Sequence, residues 1–241
     1  LIQRRFPAIS WPFHPLKKRL PSAHYACFMK FVFPRVYPIL DSSVIPSAGR
    51  SGFLRRLGAS LSDAGVTLLE YRNKTGSVSE ILADAAVLRA AMPREKTKLI
   101  LDDRADLVEQ SGFDGVHVDA GDLTPAQARR LVGSDRIVGT FGGSDDLLPG
   151  ALEAPADYLA IGPVFQTRTK QTDKKPIGID GVRRLREQAG PDAILSAAAG
   201  ITLASASAVL NAGASMVAVA EAIFRAPDPA IEFTRWVKHL H

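Results

Sequence analysis

The chain has a single cysteine, Cys27, in 241 residues, so a disulfide within it is excluded and a reducing, cytoplasmic setting is expected. Long apolar runs are also missing. No segment reaches the length of a bilayer span, and the leading residues contain no continuous apolar stretch of signal-peptide length. Acidic residues are absent from the first 40 positions, which carry Arg4, Arg5, Lys17, Lys18, Arg19, Lys30 and Arg35. The formal charge of +5 therefore belongs to this segment, because the remainder holds 23 basic against 25 acidic residues. A body without basic surplus removes the main support for nucleic-acid binding. Residues 1–34 lack periodicity and are broken by Pro7, Pro12, Pro15, Pro21 and Pro34. They read as an irregular basic N-terminal extension or an over-extended start, with Met29 a natural beginning and a targeting peptide the alternative.

Residues 35–241 read as one domain. Hydrophobic content of 46% and charged content of 23% are ordinary globular values. Eight short apolar runs read as strands: Val36–Leu40, Thr67–Tyr71, Lys98–Leu101, Gly115–Val118, Arg136–Thr140, Tyr158–Ile161, Ala193–Ala197 and Met216–Ala220. Between them, Gly52–Ala64, Ser77–Ala91, Thr124–Val132, Asp180–Ala189 and Thr202–Ala212 repeat apolar residues at helical spacing. Thr124-Pro125 and Thr202 have the chemistry of helix starts, and Gly65, Gly112, Gly133, Gly190 and Gly213 that of helix ends. Alternating β and α elements imply parallel strands joined by right-handed crossovers. Eight such units in roughly 200 residues match a (β/α)8 TIM barrel. A doubly wound sheet usually has a Gly-rich loop after its first strand, and Asp41-Ser-Ser-Val-Ile-Pro46 contains none. No repeat longer than the βα unit is evident.

In a barrel the chemistry belongs to the loops after the strands. Those loops hold Glu70, Arg72 and Lys74 after the second run, and Asp103 and Asp122 after the third and fourth. Asp103 and Asp122 on one rim are expected to hold a divalent cation, since carboxylates and water suit magnesium. Asp102 is read as a helix N-cap. His117, flanked by apolar residues within a strand, is read as structural. The long polar loop Gly162-Pro-Val-Phe-Gln-Thr-Arg-Thr-Lys170 exceeds the usual βα connection, which marks a lid or binding loop. Cations beside carboxylates suggest a polyanionic substrate such as a diphosphate.

These segments resemble the thiamine phosphate synthase and thiazole tautomerase superfamily over about Val36 to Ile223. The likeness is carried by Gly65-Val-Thr-Leu-Leu-Glu-Tyr-Arg-Asn-Lys74, Leu101-Asp-Asp-Arg104, Asp114-Gly-Val-His-Val-Asp-Ala-Gly-Asp122, Ile161-Gly-Pro-Val-Phe-Gln-Thr-Arg-Thr-Lys170 and Asn211-Ala-Gly-Ala-Ser-Met-Val-Ala-Val-Ala220. The resemblance implies a transferase joining a hydroxymethylpyrimidine diphosphate to a thiazole phosphate, with release of diphosphate. It implies small-molecule partners without nucleic acid or membrane, and leaves a homo-oligomer open. Arg72 and Lys74 match the pair on the diphosphate, and Asp103 and Asp122 the magnesium (Mg2+) ligands. Thr167, Thr169 and Lys170 match the phosphate loop, with Lys170 and Arg72 carried over as catalytic. Asp102 and Glu70 stand where the family usually has Asn and Gln, and the resemblance carries both over as substrate-binding.

The resemblance is weaker at the thiazole-phosphate end. Ala199 and Gly200 replace paired glycines, and Glu221, after Ala220, replaces a serine. Thr140 or Ser144 stands in for a serine after the fifth strand. These departures predict a second substrate that binds weakly or is accepted without its phosphate, unless Glu221 serves only as a helix-start acid. Two alternatives are a barrel that binds a thiazole or phosphate ligand without coupling, and a thiazole tautomerase. The tautomerase should have a histidine after the fifth strand, and Gly139–Ser144 contains none.

Overall fold

The computed structural model describes residues 31–119, 121, 123–167 and 174–241. Expectations about residues 1–30, Asp122, Thr169 and Lys170 therefore lie outside the described residues. From Phe33 to His241 the chain forms a compact unit. Its strands are β1 (Val36–Asp41), β2 (Leu68–Arg72), β3 (Lys98–Asp102), β4 (Gly115–Val118), β5 (Ile137–Gly143), β6 (Tyr158–Ile161), β7 (Leu195–Ala198) and β8 (Met216–Val219). They close into a parallel barrel in sequence order, with β8 pairing back onto β1. The helices are α1 (Arg50–Asp63), α2 (Val78–Ala91), α3 (Val108–Ser111), α4 (Pro125–Val132), α5 (Gly178–Ala189), α6 (Leu203–Asn211), α7 (Glu221–Phe224) and α8 (Pro229–Leu240). No helix among the described residues is long and apolar enough to cross a membrane.

Local chemistry explains these boundaries. Thr124 and Thr202 each close a capping box, with Gln127 and Ser205 respectively, and Pro125 opens α4. The alternation is not strict. The β5–β6 connection, residues 144–157, has an antiparallel bridge from Gly143 to Leu147 and turns in place of a helix. Pro149, Gly150 and Pro155 break any helical run there.

Strand side chains alternate between two surroundings, as a period of two requires. Leu40, Leu69, Tyr71, Leu99, Leu101, Val116, Val118, Val138, Leu159 and Val217 face outward and form the core beneath the helices. Their neighbours Tyr37, Glu70, Asp102, His117, Tyr158 and Ser196 face the barrel interior and line its cavity.

At the opposite end an arginine clamp recurs with every second strand. Arg89, from α2, binds the carbonyls of Met92 and Thr97 and the carboxylate of Asp114, which accepts from Leu99 N at 2.9 Å. Arg129, from α4, binds the carbonyls of Gly133 and Arg136 and reaches Asp157 at 2.7 Å; Asp157 accepts from Val138 N at 2.8 Å. Arg186, from α5, binds the carbonyls of Gly190, Ala193 and Gly213 and the hydroxyl of Ser215, which accepts from Leu195 N at 3.0 Å. Each clamp satisfies helix-end carbonyls and ties the start of an odd strand to the residue before the next even one. The longer repeat that the sequence conceals is thus a two-strand unit.

Replacing Arg129 with Met keeps the apolar stem and strands several acceptors. The expected loss is about 2 kcal/mol, in the range for charge-assisted hydrogen bonds, or roughly 4–8 °C in Tm for a chain of this size. Thermal denaturation followed by circular dichroism measures it, and an unchanged Tm would show that the clamp adds nothing.

Candidate active site

A cavity of about 850 Å³ opens at the C-terminal ends of the strands. Strand register organises its wall. Asp41 pairs with Arg72, Tyr71 with Leu101, and Asp102 with His117, so Asp41, Arg72, Asp102 and His117 form one row across β1 to β4. The guanidinium of Arg72 bonds Asp41 and lies 3.5 Å from Asp102. Lys74, just past β2, sits 2.9 Å from Asp102 Oδ2 and also bonds Asp103. Cations and carboxylates thus alternate around this part of the rim.

Asp102, Asp103 and Asp119 bring carboxylate oxygens within 4.8 Å of one another. Asp103 holds a left-handed backbone, φ 61°, and its Oδ1 is buried with no hydrogen-bond partner among the described residues. Such an orphaned oxygen costs free energy in isolation, and strain of this kind collects at functional sites. An all-oxygen donor set with a spare buried oxygen fits a hard divalent cation. Burial, reinforced by the charge of Asp103, raises the Asp102 carboxyl to about 6, against the pull of Lys74 and Arg72.

The floor is a buried hydrogen-bonded chain. The Tyr37 hydroxyl donates to Glu70 at 2.8 Å and lies 3.0 Å from the Tyr158 hydroxyl, which is 3.1 Å from His117 Nδ1. The His117 and Tyr158 rings stack with a 17° interplanar angle. Gly139 makes this possible, because a Cβ there would overlap the Tyr158 ring. Burial, then the charge of Asp102, pushes Glu70 up to about 8, so it is mainly neutral at pH 7.

Beside the mouth, the described ends of the β6–α5 connection are both anchored. Val164 N and Phe165 N bind the carbonyls of Ala198 and Ala199, while Ile177 N and Gly178 N bind those of Pro163 and Val164. The loop presents Thr167 and Lys174 to the cavity, with Lys174 Nζ 3.8 Å from the centre of the Phe141 ring. Ala199 and Gly200 both adopt positive φ and line the cavity, as do Ala220 and Glu221. Glu221 opens α7 and reaches Arg225 Nε at 3.2 Å.

The structure therefore gathers Glu70, Arg72, Lys74, Asp102, Thr167, Ala199, Gly200, Ala220 and Glu221 around one cavity, with Asp103 beside Asp102 on its rim. Four readings need correction. Asp102 caps no helix: it ends β3 facing the cavity, and Arg104 precedes the following 3-10 turn. Glu70 and Arg72 lie within β2 rather than after it. Thr140 shares the outward parity of Val138 and is absent from the cavity wall, where Phe141 stands instead. Ser144 does not replace it, since its hydroxyl binds the Gly162 carbonyl. His117 belongs to the cavity wall as well as to the strand. Residue-level reading passed over Tyr37, Asp41, Tyr158 and the approach of Asp119 to Asp102 and Asp103. Strand parity carried a signal for Asp119, two residues beyond His117 on the same face.

Fold and site together define a (β/α)8 barrel with its polar, charge-alternating chemistry at the C-terminal ends of the strands and just beyond them. Comparison with known proteins makes this specific. The family model described as thiamine monophosphate synthase matches residues 36–223. The thiamine-phosphate synthase of Koribacter versatilis is 40% identical over 208 residues, covering 86% of this chain and 96% of that protein. That of Agrobacterium fabrum is 41% identical over 169 residues, covering 69% and 77%. The fold is also that of thiamine phosphate pyrophosphorylase from Pyrococcus furiosus, with a TM-score of 0.70, 24% identity, and 86% and 96% of the two chains covered. The chain belongs to the thiamine monophosphate synthase family.

The buried Glu70 makes stability depend on pH. Its proton is held more tightly in the folded state, so its contribution is complete below about 4.5 and is lost as pH rises toward about 8. Glu70→Gln is expected to gain stability over the parent progressively across that window, by a few °C in Tm at pH 8. Melting curves at pH 4.5, 6 and 8 decide this; a constant difference would mean that Glu70 does not titrate there.

Proposed function

We propose that the cavity couples hydroxymethylpyrimidine diphosphate to thiazole phosphate, forming thiamine phosphate and releasing diphosphate. The carbon–oxygen bond to the diphosphate breaks, and the thiazole nitrogen supplies the electron pair for the new carbon–nitrogen bond. No proton need move, so the coupling step calls for no nucleophile–base pair. The observation that carries the reading is the alternation of Arg72 and Lys74 with Asp102, Asp103 and Asp119 at one cavity rim.

Arg72 and Lys74 meet the charge that develops on the departing oxygens, exchanging their carboxylate partners for the leaving group. The acid-rich wall favours the positive charge left on the pyrimidine carbon. A magnesium ion, when bound, supplies further positive charge to the leaving group. Asp102, Asp103 and Asp119 would hold it, and Asp122 is expected to join them. The bonds from Val164 N and Phe165 N to the Ala198 and Ala199 carbonyls fix where the chain leaves β6 beside the cavity.

Coupling is expected to require a divalent cation and to fall about 10²-fold or more in Asp103→Asn and in Lys74→Ala, the scale of removing one preorganised charge-stabilising group. Thiamine phosphate formation with magnesium or with chelator, in parent and variants of matched circular dichroism, is the measurement. Turnover indifferent to the chelator and to both variants would remove this site from the reaction.

A further inference from the structure

Asn73 lies between the two rim cations, yet its side chain is 8% exposed and is not part of the cavity wall. Its amide is fully engaged. Nδ2 donates to the Tyr71 hydroxyl at 3.0 Å and to Glu80 Oε1 at 2.9 Å. Oδ1 accepts from Gly76 N at 2.8 Å. Tyr71 donates to the buried carboxylate of Asp84, which Arg50 grips through Nε at 2.9 Å and NH2 at 2.6 Å. Arg50 also reaches Glu80 at 3.2 Å. Burial and Asp84 both raise the Tyr71 hydroxyl, so the network keeps its protonation throughout the neutral range.

The result is a polar knot that ties the end of β2 to α1 and to the first turn of α2. Lys74 is the residue this knot brackets, with Asn73 on one side and the anchored Gly76 on the other. An unpinned lysine would spread its charge over a wide volume, because its stem is long and its ammonium rotates freely. Here the backbone beneath it is fixed, and the ammonium settles between Asp102 and Asp103.

We propose that Asn73 is a positioning residue for Lys74: by fastening the β2–α2 loop, it sets where the ammonium meets the diphosphate. The inference rests on the coupling reaction proposed above. It makes Asn73 act on one substrate and leaves the thiazole side untouched.

Two variants test it in the full chain. Asn73→Ala removes the knot's centre. Gly76→Ala leaves Asn73 in place but puts a methyl group on its amide, displacing it. Calorimetric titration with inorganic diphosphate in the presence of magnesium is expected to show binding weakened about 10-fold in both. KM for the pyrimidine diphosphate should rise correspondingly, with KM for thiazole phosphate within twofold of the parent. Diphosphate binding at parental strength in both variants would overturn the proposal, as would equal losses for the two substrates, which general structural damage would produce. A parent chain that binds diphosphate but does not couple would count against the proposed reaction and leave the diphosphate arm decisive.

Discussion

The rim depends on strand register. Parallel pairing places Asp41, Arg72 and Asp102 at one height on three adjacent strands, where backbone hydrogen bonds allow none of them to retreat. Asp102 and its neighbours Asp103 and Asp119, gathered at this end without Arg72 and Lys74, would repel one another, by about 1–4 kcal/mol per pair at 4 Å in water-like to surface-like surroundings. With the cations interleaved, the charges hold one another in place. The same row therefore secures the mouth of the barrel and pre-orients the groups that meet an anion.

The two ends of the barrel treat charge differently. At the N-terminal end, Arg89, Arg129 and Arg186 spend their donors on helix-end carbonyls and on Asp114, Asp157 and Ser215, which themselves hold strand amides. That end serves stability, with Arg89 Nε the one clamp donor left without a hydrogen-bond partner among the described residues. At the C-terminal end Asp103 keeps a buried oxygen without a hydrogen bond and a left-handed backbone, and Glu70 is buried deeply enough to favour its neutral form. A left-handed backbone and a spare carboxylate oxygen together, beside a cavity, are what suits a site that binds something.

Much of this was legible in the residues. Apolar runs of four or five gave the strands, and Thr124-Pro125 and Thr202 marked helix starts that the structure realises as capping boxes. Less legible was parity. Thr140 reads as a rim hydroxyl until β5 is seen to run on to Gly143, which leaves Thr140 facing the helices and Phe141 facing the cavity. Asp102 reads as a cap because an aspartate after an apolar run usually is one. The clamp repeat was hidden because its acceptor is Asp in two units and Ser in the third, and because the arginines are unevenly spaced along the chain.

Alternation, turn chemistry and charged residues after apolar runs determined, without coordinates, a parallel eight-stranded barrel with cations and acids on its loops. These are local properties, written in spacings of two and of three to four. Which acids converge was decided only by closure of the sheet. Asp41, Arg72, Asp102 and Asp119 are separated by up to 78 residues, and they meet because each strand's stagger against its neighbour is set by the whole ring of pairings. The proton on Glu70 was likewise beyond sequence, since burial and the nearby charge of Asp102 exist only once the barrel has formed.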